Sequence, residues 1–163
     1  WWIENVVKLT GDPVAVDAML CFMAIHDLGK IRDIRIDLSP GICDHDKALL
    51  YIIESTPEVL PSYLRLPHFY QKLIHCALSV EFNFGQFLQG ENLPTNLLKV
   101  KTMLGDEGKD AVAFYLFHIF VDIAGTSGTR TWEGSLTMDQ SLYSTFQDGV
   151  DCLEMLTTES VDE

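Results

Sequence analysis

Two apolar runs, MLCFMAI over Met19 to Ile25 and AVAFYLFHIFVDIAG over Ala111 to Gly125, read as buried helices, and polar residues of the same kinds interrupt both. His26 and Asp27 close the first; His118 and Asp122 sit inside the second. A carboxylate in apolar surroundings costs several kcal/mol unless it is paired or holds a metal. Few Lys or Arg lie near these acids in sequence, whereas imidazoles recur at His45 and His75, so a cation gripped by His and Asp is the economical expectation.

Elsewhere the apolar positions keep helical spacing, and Gly and Pro rather than strand alternation mark the turns, which predicts an all-α bundle. A first helix covers Trp2 to Leu9 and stops at Gly11. Asp12 and Pro13 are the cap and first turn of a second helix that runs to about Leu28, with Gly29 at its end. The segment IRDIRIDLSPGI is expected to be a loop, and Asp44 to cap a third helix over His45 to Glu54. A short helix over Glu58 to Leu64 follows, and Pro67 opens a longer one to about Glu81. Phe82 to Gly90 carries no clear pattern. LPTNLLKVKTML predicts a short helix ending at Gly105, and Asp106 starts the apolar helix that ends at Gly125. TSGTRTWEGS reads as a loop, after which Thr137 and Gln140 form a capping box for a last helix to about Thr158.

The chain of 163 residues is the length of one domain, and residues 1–163 are read as a single helical domain. Apolar residues at 47% and charged residues at 21% make this a globular composition. A net charge of −13 repels a phosphate backbone and disfavours nucleic-acid binding, while Lys30, Arg32, Arg35 and Lys47 leave room for a small anionic substrate. Cys21, Cys43, Cys76 and Cys152 form no Cys-x-x-Cys pair, so reduced thiols and a cytoplasmic setting are expected. Neither a leader nor a run long enough for a bilayer is apparent, so no membrane role is expected. The first residue is Trp rather than Met, as in a segment cut from a longer protein.

The string AIHDLGKI resembles the signature of the HD-domain superfamily of metal-dependent phosphohydrolases, all-α proteins named for the adjacent His and Asp, and FVDIAG resembles its closing acid. CDHDKALLYII and KLIHCAL are similar to the extra His segments of the dinuclear branches, which include cyclic-dinucleotide phosphodiesterases and di-iron oxygenases related to inositol oxygenase. The resemblance, covering about Asn5 to Gly125, implies an HD-domain-like helical bundle that binds one or two divalent ions, Fe, Mn, Mg or Zn. In it Asp27 bridges, His26, His45, His75 and Asp122 complete the metal shell, and Lys30 contacts substrate; for a hydrolase, Arg32 joins Lys30 in stabilising charge on the phosphoryl oxygens, and His118, one turn before Asp122 on the same face, is either a supporting partner of that acid or an alternative ligand. The catalytic residues it implies are Asp27 and Lys30. The superfamily places another His about two dozen residues before the pair; here WWIENVVKL has none, so that ligand lies upstream or is lost.

Three functions follow: a phosphohydrolase for a small phosphoester or nucleotide, a di-iron oxygenase, or a degenerate HD domain serving as a binding or signalling module. Phe82, Phe84 and Phe87 of VEFNFGQFLQGENLP, in the segment Phe82 to Pro94, line either a pocket or a core. The apolar stripe Leu142, Phe146, Val150, Leu153 and Leu156 packs on the protein's own core, on a protein partner or on a second copy.

Overall fold

The computed structural model describes residues 2–91, 108–125 and 138–158. It is all-α, with no strand among the described residues. Its helices are α1 (Trp2–Gly11), α2 (Pro13–Ile25), α3 (Arg32–Leu38), α4 (His45–Ser55), α5 (Pro61–Leu64), α6 (His68–Ser79), α7 (Phe84–Leu88), α8 (Gly108–Gly125) and α9 (Gln140–Thr158). Single 3-10 turns occupy Leu28–Lys30 and Pro57–Val59. The expected helix before Gly105 and the loop TSGTRTWEGS lie outside the described residues. No helix among those described is long and apolar enough to cross a membrane.

The chain forms two compact units, Ile3–Val80 and Glu81–Glu163. In the first, α2 is apolar on nearly every side and forms the centre: Ala15, Ala18, Met19, Cys21, Phe22 and Ile25 are all buried. Helices α5 and α6 pack on it, and α4 packs on α6. The α4 residues Ala48, Leu49, Ile52 and Ile53 recur at one- and four-residue steps and are buried with Leu73, Ile74 and Leu78 of α6. Each fully buried Leu or Ile there contributes about 1.5–3 kcal/mol.

Caps set the helix starts. Asp12 accepts a bond from Val14 N at 2.9 Å, with Pro13 in the first turn, and Asp44 accepts from Lys47 N at 2.9 Å. Asp12 also accepts the Tyr70 hydroxyl at 2.6 Å, tying the start of α2 to α6. That bond first, and the Val14 N–H second, hold the Asp12 carboxyl below its ordinary pKa. At the far end of α6, Glu81 takes a left-handed φ of 48°, and the first unit ends there.

Three sequence expectations change. Arg32–Leu38 is a helix, not a loop: Ile31, Ile34, Arg35 and Leu38 recur at helical steps, and the Ser39 hydroxyl and amide both bond back to Arg35 O. The segment after Ser55 divides at Pro61 into a 3-10 turn and α5, because Pro61 has no N–H with which to continue the earlier turn. The cap of α9 is Asp139, whose Oδ1 accepts from Leu142 N at 2.8 Å; Thr137 lies outside the described residues.

In the second unit, the pattern-free stretch after Glu81 forms an aromatic core. Asn83 caps α7 by accepting from Gln86 N at 2.9 Å, and the Tyr115 hydroxyl of α8 donates to Phe82 O at 2.7 Å. Phe82 and Phe84 are buried, and Phe84 meets Phe146 of α9 edge-on at 5.0 Å between ring centroids. Phe120 of α8 meets Phe146 in the same way at 5.4 Å. Gly149 brings α9 against α7, where a Cβ would overlap Leu88 and Phe84. Phe146, Val150 and Leu153 are buried, so this part of the α9 stripe serves the protein's own core.

Candidate functional site

The apolar pattern of α2 ends at Ile25, and the next residues turn rather than continue. His26 is the C-cap, its amide bonded to Phe22 O at 2.8 Å. Asp27 follows with φ −92° and ψ 1°, and Leu28–Lys30 form a 3-10 turn. Such a turn has three residues per revolution, so positions three apart eclipse. Asp27 and Lys30 are so placed, and Lys30 Nζ meets Asp27 Oδ1 at 2.5 Å. The expectation that Asp27 lies buried and short of an amino-acid cation is corrected here: its side chain is about half exposed, at 50%, and Lys30 is its counter-ion. Lys30, expected to bind substrate, is engaged with a carboxylate.

His26 Nδ1 lies 2.7 Å from Met23 O. A carbonyl only accepts, so Nδ1 carries the proton, and in the neutral ring Nε2 presents a lone pair. That Nε2 stands 3.3 Å from Asp27 Oδ1. A nitrogen lone pair facing a carboxylate is stable only with a proton or another cation between or beside them. An imidazole anchored by Nδ1–H to a backbone carbonyl is also the usual preparation of a metal-ligating histidine.

Gly29 brings a second pair to this place. It is buried, and a Cβ on it would overlap the His45 backbone carbonyl, so the 3-10 turn lies directly on the start of α4. His45 begins that helix and Asp46 follows, with His45 Nε2 3.4 Å from Asp46 Oδ1. Two His-Asp doublets, 26–27 and 45–46, therefore stand together at one end of the first unit. Asp46 was not anticipated as a site residue, although its signal is in the sequence: CDHDK repeats the His-Asp of AIHDLGK.

Electrostatics differentiates the two acids. For Asp27, partial desolvation pushes the carboxyl up, but the Lys30 hydrogen bond and the charges of His26, Lys30 and His45 outweigh it and leave the group below its ordinary value. For Asp46, desolvation again acts upward and Asp44 adds repulsion; His45, Lys30 and His26 offset only part, and the carboxyl stays raised. Burial is thus the main reason the Asp46 carboxyl stays raised, and His45, Lys30 and His26 act on it as they do on Asp27.

Within the first unit, His75 lies apart from the doublets. His75 on α6 pairs with Glu54 Oε1 at 2.9 Å, nine residues beyond His45 and at the opposite end of α4. At 1.5 Å rise per residue that end is roughly 13 Å away. Ser79 Oγ lies 3.4 Å from His75 Nδ1, but it donates its proton to the carbonyl of His75 at 2.6 Å, the back-bond of a helical serine, so no activated nucleophile results. Arg32 is exposed at the start of α3. Asp122 and His118 belong to the second unit, one turn apart on α8, with His118 buried and Asp122 half-buried.

Among the described residues, no three His, Cys, Asp or Glu side chains gather as a ready metal site. In kind, the doublets do suit a divalent ion, offering imidazole nitrogen and carboxylate oxygen.

A family described as a family of unknown function (DUF6829) matches the chain over residues 1–163. No curated protein and no solved structure matches it.

Proposed function

We propose, for a chain that belongs to the DUF6829 family of unknown function, that it is a metal-dependent phosphohydrolase acting on a small phosphoester or nucleotide. The observation that carries this reading is the meeting of the two His-Asp doublets across Gly29. His26, Asp27, His45 and Asp46 would hold the divalent ion, which would lower the pKa of a bound water to about 7 and supply a counter-charge for phosphate oxygens. The carbonyl of Met23 orients His26, and the Asp44 cap holds His45 and Asp46 at the head of α4. The reading keeps a cytoplasmic setting and an anionic substrate without nucleic acid.

The test is hydrolysis of p-nitrophenyl phosphate and bis(p-nitrophenyl) phosphate by metal-free protein supplied with Mn²⁺. Turnover that vanishes in Asp27→Asn supports the proposal. Absence of turnover together with absence of Mn²⁺ binding overturns it. A di-iron oxygenase would instead show bound iron and no such hydrolysis.

One observation favours a second reading, that of a degenerate HD domain acting as a binding module. Lys30 already neutralises Asp27, as a domain that has given up its metal would arrange. Unchanged folding and no metal uptake under any divalent ion select that reading.

A further inference from the structure

We draw no further inference here: the strongest candidate, the exposed apolar face that Ile3 and Val7 present one turn apart on α1, carries no proposal because nothing in the structure shows what covers it.

Discussion

The two ends of α4 both carry histidine beside carboxylate, yet they are built differently. At the His45 end, a tight turn supplies a second doublet and a lysine, so several acids and imidazoles act on one another. At the Glu54 end, His75 reaches across from α6 to a single glutamate, one imidazole for one acid, with both side chains about half exposed. A one-to-one surface pair is complete as it stands and contributes little to stability. At the His45 end the charges are coupled instead, so a change at one acid is felt by the others. Adjacent polar residues, moreover, point about 100° apart on a helix and converge only where the helix stops, as α2 does at His26.

The most damaging way to break this contrast is Gly29→Ala. The new Cβ has only the His45 backbone to displace, so we expect a loss of about 3 kcal/mol or more, at the upper end of overpacking costs. A urea midpoint lowered at unchanged slope, together with lost Mn²⁺ binding, is the expected result; wild-type stability would separate the doublets and dissolve the site.

Next in size is Asp27→Asn, which keeps the side-chain shape and removes the charge. Mn²⁺ affinity and phosphoester turnover should each fall by at least about 10–100-fold, the range seen when even the support of a metal ligand is altered. Circular dichroism should report unchanged helicity. Full activity would take Asp27 out of the chemistry.

Tyr70→Phe probes a carboxylate of the same unit that no lysine serves. Tyr70 is the main cause of the depressed Asp12 pKa, so the ionised Asp12 stabilises the fold above its unfolded pKa, and that contribution disappears as the pH falls through the folded value. Removing the hydroxyl raises the folded value toward the unfolded one. The thermal midpoint should drop slightly at neutral pH, and the gap between variant and wild type should close below about pH 4, where carboxylates protonate. A gap that persists in acid would mean the hydroxyl acts through packing rather than through Asp12.

The smallest effect belongs to His75→Gln. Stability should change by less than about 1 kcal/mol, as for an exposed ion pair, and Mn²⁺ affinity, read by titration, should stay within about twofold. Loss of metal binding here would join the two ends of α4 into one site and remove the contrast altogether.

Much of the architecture was legible along the chain because it is written in local rules. Asp12 with Pro13, Asp44 and Pro67 mark helix starts through bonds or ring geometry that span four residues at most. The apolar runs of α2 and α8 place buried positions without knowledge of any partner. Harder to read was α3, which is only seven residues long and buries none of them, so its few helically spaced apolar residues carry little signal. The aromatic residues after Glu81 were equally opaque, since their order comes from rings contributed by α8 and α9, dozens of residues away.

At the candidate site the division is similar. The residue types, the first His-Asp doublet, its position at the end of an apolar helix and the all-helical class follow from spacing and composition, because helix periodicity and caps act over a few residues. The promotion of Asp46, the pairing of Lys30 with Asp27 and the commitment of His75 to Glu54 depend on which backbone passes close to which. Those approaches hinge on Gly29 lying on the carbonyl of His45 and on the packing of α4 against α6. Charge interactions act through space and fall off with distance, so the same imidazoles and carboxylates acquire different partners only once the chain has folded around them.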